Sequence, residues 1–370
     1  LKCWGQHPFI LLIKKIKNLE LIMISCPDFF LRLNFFYNQK TPFVCFRLPG
    51  TNTLKCYSGK EQKINHNAFP KDPGFIMMPF DKSKEGYFIS SKTMFETKIP
   101  SDSLKNSLTE EFNQQEKFNS HKENYLKKIV DIKNTISKTE LIKLVYSTSF
   151  ELDLIQNNFE AYFKKLLRLH KDAFCYLFYI PNEGYWMGAS PETLLEVQDK
   201  KITTMALAGT KKRNVVHWGN KEILEQKIVK DEIKKNLTPF CKNLETTNSS
   251  TIKAGGVDHL KTTISGTTIS SPSQIINAIH PTPAVGGAPK EKALLIIKKE
   301  ESHNRSFYSG YLGEIDNMNC TLFVNLRCVH VKRNKAKIFV GGGITLDSKP
   351  EKEWEEIINK SQTILEALFR

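Results

Sequence analysis

The sequence predicts an α+β fold built on large β-sheets. Short apolar runs rich in Val, Ile, Phe and Tyr recur along the chain between Gly, Pro and Asn residues, which is typical of strands joined by turns. Other segments carry apolar residues three and four positions apart and therefore predict helices. These helices do not alternate regularly with the strands, so the pattern favours antiparallel sheets over a parallel βαβ arrangement.

The first elements lie between residues 42 and 99, where apolar runs at 43–46, 74–78 and 87–89 predict short strands without visible chemistry. Residues 100–120 are polar and predict a linker. A helix is expected next, because four apolar residues then recur at helical spacing. These residues are Tyr125, Ile129, Ile132 and Ile136.

The rest of the chain continues the same two periodicities. After residues 139–147, which run from a helix start into a strand, helices are predicted at 156–170 and 220–236. Residues 286–302 are predicted to open with a glycine loop and to continue as a helix. Strands are predicted at 174–180, 185–189, 261–271, 307–315, 320–331 and 336–341. The first two of these strands are separated by a turn at 181–184 and predict a hairpin.

Composition limits the classes of protein to consider. The 370 residues are enough for one large or two ordinary domains, and the 54 Lys and Arg residues exceed the 39 Asp and Glu residues by 15. These basic residues are scattered, so we interpret them as solvated surface and expect no nucleic-acid partner. No apolar run is long enough to span a membrane, and we expect no membrane partner. The eight cysteines lack metal-binding spacing, which is typical of reduced thiols in a cytoplasmic protein.

The N-terminus is expected to be an extension of the natural protein. The chain begins with Leu1, and its first methionine is Met23. The apolar run at residues 9–13 is too short for a signal peptide and is followed directly by lysines. We therefore expect residues 1–22 to lie upstream of the natural start and to be dispensable.

Three consecutive glycines at 341–343 follow the apolar run 338–340. Glycine leaves backbone N–H groups unshielded, so this strand end suits the close approach of an anion. Ser348 is expected to cap the next helix, and Pro350 fits its first turn. A glycine turn followed directly by a helix start therefore predicts a binding element.

Glu353, Glu356 and Lys360 share one face of that helix, because they stand at positions i, i+3 and i+7. Two carboxylates and an ammonium beside a glycine turn can hold a divalent cation together with an anion. Glu225 lies three residues after Glu222 on another predicted helix and supplies a second source of carboxylate ligands. Both helices also fit an ordinary solvated face with Glu–Lys pairs, so the spacing alone leaves the two interpretations open.

Four further segments carry polar or small residues that are candidates for a binding site. Glu192, in the Ser-Pro-Glu run 190–192, is a general acid if burial raises its pKa, or else a helix cap. The Leu-Ala-Gly-Thr run 207–210 forms either a small-residue floor for a substrate or an ordinary β-turn. Arg305 and Tyr308 are placed to clamp a carboxylate. Arg327 lies in a strand between apolar neighbours and is expected to face a cavity or an ion-pair partner.

Taken in order, these segments resemble the chorismate-utilising enzymes. The run 280–287 (His-Pro-Thr-Pro-Ala-Val-Gly-Gly) is similar to isochorismate synthases in particular. The likeness covers roughly residues 125–368 and is weak before them. We therefore expect residues 23–120 to form a weakly matching N-terminal part of the same fold and residues 121–370 to form the chorismate-binding catalytic region.

The resemblance implies a duplicated α+β unit with two large antiparallel sheets packed face to face and covered by helices. The implied activity is that of an isomerase that converts chorismate to isochorismate, in which water adds at C2 and the C4 hydroxyl leaves. Mg²⁺ is the implied cofactor, and chorismate is the implied substrate. We expect a monomer without a glutaminase subunit that serves menaquinone biosynthesis, with siderophore or salicylate synthesis as the other pathways.

The resemblance also implies a role for each motif residue. Lys143 activates the water as a base, and Glu192 protonates the leaving hydroxyl as an acid. Glu225 and Glu356 bind Mg²⁺ with help from Glu353. The substrate-binding positions are Gly209, Thr210, His280, Tyr308, Arg327, Gly343 and Lys360. A substrate with two carboxylates needs both a metal and a basic clamp, because buried anions are costly without partners.

Three positions depart from the family pattern, and other activities remain possible. Thr148 stands where the family commonly has Arg, and Leu224 and Gln226 flank Glu225 where the family often has His. Ala208 argues against one type of aminodeoxychorismate synthase, and Lys143 argues against anthranilate synthase. Salicylate synthase is the alternative within the family. Outside it, the alternatives are a basic nucleic-acid-binding protein or an inactive scaffold.

Overall fold

Two β-sheets of ten strands each organise this protein, whose computed structural model describes residues 22–67, 69–100, 114–213, 215–254 and 256–369. In chain order the strands are β1 (Ile22–Met23), β2 (Phe43–Arg47), β3 (Thr53–Ser58), β4 (Glu61–Ile64), β5 (Gly74–Met78), β6 (Gly86–Ser90), β7 (Met94–Lys98), β8 (Lys143–Asp153), β9 (Phe174–Ile180), β10 (Gly184–Ser190), β11 (Thr193–Gln198), β12 (Lys201–Lys212), β13 (Cys241–Thr246), β14 (Ser250–Ala254), β15 (Val257–Thr268), β16 (Gly287–Ala288), β17 (Tyr311–Asp316), β18 (Asn319–Val324), β19 (Cys328–Lys332) and β20 (Lys335–Ile344).

The order of strands shows that both sheets draw on distant parts of the chain. The first sheet runs β1-β7-β3-β2-β9-β10-β19-β20-β8-β16. The second runs β13-β15-β12-β11-β18-β17-β5-β6-β4, with β14 paired to β15. Every pairing is antiparallel except that of β1 with β7. The expected α+β fold with two large antiparallel sheets is therefore confirmed.

Helices cover the outer faces of the two sheets. Within the described residues they are α1 (Cys26–Asn38), α2 (Gln114–Lys138), α3 (Phe159–Leu169), α4 (Asn220–Leu237), α5 (Pro272–Ile279), α6 (Lys290–Glu300) and α7 (Pro350–Phe369). Apolar residues of α1, α2, α3 and α7 pack on the first sheet, and those of α4 and α5 pack on the second. None of the described helices is both long and apolar enough to cross a membrane.

A third apolar cluster lies between the sheets and shows that they pack face to face. It joins side chains of β2 and β9 from the first sheet to side chains of β5, β17 and β18 from the second. Phe174 of β9 stacks on Phe323 of β18, with ring centroids 4.1 Å apart and an interplanar angle of 6°. A stacked aromatic pair of this kind adds to the burial of apolar area in holding the layers together.

The predicted elements agree with the structure in type more than in boundaries. The hairpin is confirmed, because β9 and β10 pair around the turn from Ile180 to Gly184. The apolar face of α2 is confirmed as buried. The prediction of a linker over residues 100–120 is wrong from residue 114 onward, since α2 already begins at Gln114. Residues 101–113 of this predicted linker lie outside the described part of the chain.

The expected boundaries at residues 22 and 120 cross regular structure. Residues 1–21 of the expected upstream extension lie outside the described residues, whereas Ile22 pairs with Phe95 at the edge of the first sheet. The division between residues 120 and 121 falls inside α2. Strands from both sides of this division share both sheets, so the N-terminal and C-terminal parts build one structure.

The pairing of β8 with β20 places the segments predicted to carry the chemistry. Gly343 lies opposite Val145, and Gly341 lies opposite Ser147. Pro350 begins α7 as predicted, but Ser348 does not cap it, because the carbonyl oxygen of Lys349 accepts the first hydrogen bonds of the helix. The hydroxyl of Ser348 accepts a hydrogen bond from the backbone N–H of Thr345 instead. The glycine end of β20 therefore lies beside the start of β8.

Candidate active site

A cavity of about 660 Å³, including its open mouth, brings together most of the predicted site residues. Eight of the twelve predicted positions line it: Glu192, Gly209, Thr210, Glu225, Tyr308, Arg327, Gly343 and Lys360. The segments that carry them lie far apart in the sequence and meet only because β8, β10, β12, β20, α4 and α7 converge here. Chain order alone shows no such convergence.

Glu192 is a buried carboxyl group between β10 and β11. Its side chain reaches the cavity, and its Oε1 has no hydrogen-bond partner among the described residues. Burial raises the pKa of Glu192 to about 8, against the opposing charges of Lys143 and Lys360. The group is therefore protonated at neutral pH and can donate a proton. The alternative of a helix cap is wrong, because Glu192 joins two strands.

Lys143 lies next to the cavity as the first residue of β8. Its side chain is fully buried, and its Nζ lies 2.9 Å from Oε1 of Glu225 on α4. Glu225 lines the cavity, whereas Lys143 lies behind it. This contact connects the first sheet to the helix that covers the second.

Gly343 leaves the room that the Lys143–Glu225 pair occupies. A Cβ atom added at Gly343 would lie 2.2 Å from Oε1 of Glu225 and 2.9 Å from Cε of Lys143. At Gly342 the nearest heavy atoms to an added Cβ would lie 3.6 Å away, which is an ordinary contact. The structure therefore gives Gly343 a steric role in addition to the predicted backbone contact with a carboxylate.

We expect Gly343→Ala to destabilise the protein by about 1–3 kcal/mol, because the added methyl group overpacks a buried ion pair. Turnover is expected to fall as well, since Lys143 and Glu225 must both move. Gly342→Ala is the matched control for stability and is expected to change the unfolding temperature little, because its added Cβ would make only ordinary contacts. Thermal unfolding of the two variants and steady-state kinetics of Gly343→Ala check this, and equal unfolding temperatures for both variants would contradict the steric role.

Arg327 is a buried cation that has no carboxylate partner among the described residues. Its Nη1 donates to the carbonyl oxygen of Lys360 at 3.1 Å, and its backbone adopts a left-handed φ of 49°. Burial lowers the pKa of Arg327 to about 10, which leaves the group charged at neutral pH. Because an unpaired buried charge is costly, this arrangement suits an anionic ligand. The prediction that Arg327 faces a cavity is confirmed.

His259 also lines the cavity, and sequence reasoning missed it. Its Nδ1 donates to the carbonyl oxygen of Gly209 at 3.1 Å, and its Nε2 accepts from Nη2 of Arg327 at 3.3 Å. Burial, with the charges of Arg327 and Lys360, lowers the pKa of His259 to about 3, so the ring is neutral and can act as this bridge. The predicted strand began at residue 261, two residues too late to include it.

Gly209 lies in a β-bulge of β12, where the pairing with β15 shifts between Ala208 and Thr210. Its φ is 73°, and an added Cβ atom would lie 2.8 Å from the carbonyl oxygen of Glu222. Only glycine adopts this conformation at little cost, and here it also admits the first turn of α4. The alternative of an ordinary β-turn is wrong, since the segment lies within a strand.

The three predicted metal ligands each contact a lysine. Besides the contact of Glu225, Oε1 of Glu353 lies 2.5 Å from Nζ of Lys221, and Oε1 of Glu356 lies 2.7 Å from Nζ of Lys360. The side chain of Glu353 is only 2% exposed, so the alternative of a solvated helix face is wrong there. Glu353 and Glu356 lie outside the cavity lining. In the described part of the chain, no three His, Cys, Asp or Glu side chains are arranged as a metal site.

The lysines set the protonation of the two carboxyl groups on α7. Burial and the nearby Glu356 raise the pKa of Glu353 to about 7, and Lys221 opposes this shift. Burial alone would raise the pKa of Glu356, but the charges of Lys360 and Lys221 outweigh it and lower this pKa. Glu356 is therefore ionised at neutral pH, whereas Glu353 titrates close to neutral pH.

His280 and Arg305 do not lie where they were expected. Nε2 of His280 lies 3.0 Å from the carbonyl oxygen of Ser309, and the buried ring packs edge-on against Tyr311 away from the cavity. Arg305 is paired with the buried Glu301 and donates to the carbonyl oxygen of Val145. Its guanidinium is thus already bound by the protein, which leaves Tyr308 as the member of this motif that lines the cavity.

The family departures lie beside the site. Gln226 donates from its side chain to Oγ1 of Thr262 at 2.7 Å and so joins α4 to β15. Leu224 is half exposed. Thr148 lines a separate polar pocket with Tyr125 and Tyr146. None of the three residues lines the cavity.

Comparison with known proteins places this site in a family context. The sequence profile of the chorismate binding enzyme family matches residues 88–369. The chain is 27% identical over 311 residues to the vibriobactin-specific isochorismate synthase of Vibrio cholerae, a match that covers 79% of this chain and 78% of that protein. It is 34% identical over 209 residues to isochorismate synthase MenF of Bacillus subtilis, covering 52% of this chain and only 44% of that protein.

Solved structures give the same fold. A putative 2,3-dihydroxybenzoate-specific isochorismate synthase from Bacillus anthracis superposes with a TM-score of 0.79 at 25% identity, over 91% of this chain and 98% of that chain. Anthranilate synthase component I from Streptococcus pneumoniae superposes with a TM-score of 0.67 at 16% identity, over 97% of each chain. At that identity the second likeness shows the fold alone.

Proposed function

Because the chain belongs to the chorismate binding enzyme family, we propose that it is an isochorismate synthase, an isomerase that converts chorismate to isochorismate. The observation that carries the proposal is the arrangement of Glu192 and Lys143, a protonated carboxyl group that lines the cavity and a buried lysine directly behind it. Two relatives with this activity in their names support it. The reaction needs an acid and a base at different ring carbons, and these two residues supply them.

The proposed reaction balances without any oxidant or second substrate. Lys143 acts here from its deprotonated form, not as the ammonium that pairs with Glu225 at rest, and takes a proton from water as the water oxygen bonds to C2 of the ring. The double bonds shift, the bond from C4 to its hydroxyl breaks, and Glu192 gives its proton to the leaving oxygen. One water enters and one leaves, so the net change is an isomerisation.

The wall of the cavity supplies the positive charge that a dicarboxylate requires. We assign Arg327, Lys360 and the hydroxyl of Tyr308 to the carboxylate of the enolpyruvyl group, since guanidinium and ammonium groups form strong charge-assisted hydrogen bonds. The neutral ring of His259 holds Arg327 in place. Gly209 and Thr210 border the ring site, because the bulge in β12 brings their backbone to the cavity.

We also propose Mg²⁺ as the cofactor, held by Glu225, Glu353 and Glu356 once it displaces the lysines that pair with these carboxylates. Their oxygen ligands suit this hard cation. Oε2 of Glu353 is buried and has no hydrogen-bond partner among the described residues, so it has free capacity for a cation. When bound, the metal would supply positive charge to the ring carboxylate of chorismate.

Activity is expected to require Mg²⁺ and to stop with excess EDTA. Glu356→Gln is expected to raise the Mg²⁺ concentration for half-maximal activity sharply, because Mg²⁺ prefers charged oxygen ligands. Glu355→Gln is the control, since that neighbouring side chain is exposed and pairs with the exposed Lys212. Full activity of the wild-type protein in metal-free buffer would remove the metal from the proposal.

Incubation with chorismate and Mg²⁺, followed by chromatography of the products, tests the function directly. Isochorismate is the expected product, and no glutaminase subunit is needed. Salicylate with pyruvate would instead identify a salicylate synthase. Anthranilate formed in the presence of ammonium salts would show that the water-activating role of Lys143 is wrong.

Menaquinone synthesis is our proposal for the pathway, and recovery of menaquinone in a strain that lacks isochorismate synthase checks it.

A further inference from the structure

Lys221 occupies a position among the proposed metal ligands that the proposed reaction does not use. It lies in the first turn of α4, one turn before Glu225, and its Nζ donates to Oε1 of Glu353 on α7 at 2.5 Å. Its side chain is 20% exposed, while that of Glu353 is 2% exposed. Helix α4 therefore delivers both a carboxylate and an ammonium to the same acidic cluster.

Lys221 and Glu225 stand one turn apart on α4, so their side chains share one face of the helix. The ammonium of Lys221 lies where a bound cation would also be stabilised, because its Nζ is 2.5 Å from an oxygen of a proposed metal ligand.

Lys221 donates a hydrogen bond to only one of the two carboxylate oxygens of Glu353. Oε1 of Glu353 accepts its hydrogen bond, whereas Oε2 is buried and has no partner among the described residues. The absence of a side chain at Gly342 leaves space beside this oxygen, since an added Cβ would lie 3.6 Å from it. The free oxygen can thus accept a cation, but the ammonium on the other oxygen repels any cation that approaches.

We propose that Lys221 is an internal counter-ion that competes with the divalent metal for Glu353. Without metal it compensates a buried carboxylate, which would otherwise destabilise the folded protein. With metal it must share or release Glu353, so the metal binds more weakly than to the three carboxylates alone. This inference rests on the proposed metal site and adds a residue that tunes its affinity.

If Lys221 competes with the metal, Mg²⁺ should affect the stability of a Lys221 variant in a way that an ordinary stabilising ion pair would not explain. Replacing Lys221 by methionine keeps the length of the side chain and removes its charge. The metal-free Lys221→Met protein is expected to unfold at a lower temperature than the wild type, because Glu353 loses its partner. Mg²⁺ is expected to raise the unfolding temperature of the variant by more than it raises that of the wild type.

The affinity for Mg²⁺ is expected to increase in the same variant. Coupling between two sites is typically 5–150-fold, and we expect a Kd about tenfold lower in Lys221→Met. Isothermal titration of Mg²⁺ into the full-length protein without chorismate measures it directly. Lys221→Arg keeps the charge and is expected to stay near the wild type. Lys212→Met removes an exposed pair with Glu355 and controls for a general loss of positive charge.

The outcomes separate this inference from the proposed function. A Kd for Mg²⁺ that is unchanged or higher in Lys221→Met would overturn the competition, as would a failure of the wild-type protein to bind Mg²⁺. Neither result affects the product found in the chorismate assay, which decides the proposed function separately. If Lys221→Met does not fold without metal, refolding in the presence of Mg²⁺ is expected to recover it, and Lys221→Gln provides a second variant for the titration.

Discussion

Glu192→Gln is expected to lower kcat on the order of 10²–10⁴-fold while KM changes little. Glutamine fills the same space but has no acidic proton to give to the leaving hydroxyl. The proton is needed only as the bond to C4 breaks, so binding of chorismate should remain. Stopped assays at a series of chorismate concentrations measure the two constants. A large rise in KM with normal kcat would show that Glu192 binds substrate instead of donating a proton.

The stability of the same variant provides an independent check with a defined sign. In the folded protein the pKa of Glu192 is raised to about 8, whereas a carboxyl group of this type in an unfolded chain titrates near ~4.3. At pH values between these two, Glu192 binds more protons in the folded state than in the unfolded state. The contribution of Glu192 to the free energy of unfolding is therefore complete below the lower pKa and is lost as pH rises toward the upper one.

Glutamine does not titrate, so Glu192→Gln should lose less stability than the wild type between pH 5 and about 8. Thermal unfolding of both proteins at the two ends of this window measures the difference. A variant that is destabilised equally at both ends would point to a packing role for Glu192. The activity of the wild type should also decline as pH rises through about 8, because the acid is then ionised.

Lys143→Ala is the second substitution with a large expected effect. Loss of the base should reduce isochorismate formation on the order of 10²–10⁴-fold. Chorismate binding should remain largely intact, because we assign the carboxylates of chorismate to Arg327, Lys360 and the proposed metal. The structure adds that Glu225 would be left unpaired beside the cavity, so the metal-free variant should also unfold at a lower temperature.

Two measurements separate these effects. Calorimetric titration with chorismate in the presence of Mg²⁺ reports binding, and chromatography reports product. Lys55→Ala is a suitable control, since it removes a half-buried pair with Glu314 outside the cavity lining. Near-normal isochorismate formation by Lys143→Ala would mean that another group activates the water.

Local pattern was sufficient to predict an α+β fold with large sheets and several candidate site residues, whereas the packing of the two sheets and the roles of the site residues were implied by the family resemblance. Apolar runs between turn residues marked the strands, and helical spacing placed Glu353, Glu356 and Lys360 on one helix. A carboxyl group after a strand end, at Glu192, was also recognisable because backbone pattern and side-chain type coincide there. These features depend on neighbours in the chain, which the sequence shows directly.

The remaining features depend on contacts between distant segments. His259 acts through its register opposite Thr210 in a strand whose start was predicted too late. The local sequence does not distinguish Lys221 from a surface lysine, because only the fold places Glu353 of α7 beside it. His280 belongs to a motif that resembles those of isochorismate synthases, but its ring is held inside the core by Ser309 and Tyr311. The spacing of residues along the chain cannot show whether a polar side chain contacts another part of the protein or binds a ligand.

The interleaving of strands within both sheets has a consequence for synthesis of the chain. Ile76 of β5 pairs with Gly313 of β17, and Phe43 of β2 pairs with Tyr179 of β9. At roughly 5–20 residues per second, a ribosome exposes the early strands for on the order of ten seconds before their partners emerge. Such non-local pairing slows folding and leaves apolar strand edges open to intermolecular contact. Yield in a cell should therefore depend on chaperone supply and translation temperature more than on the final stability of the fold.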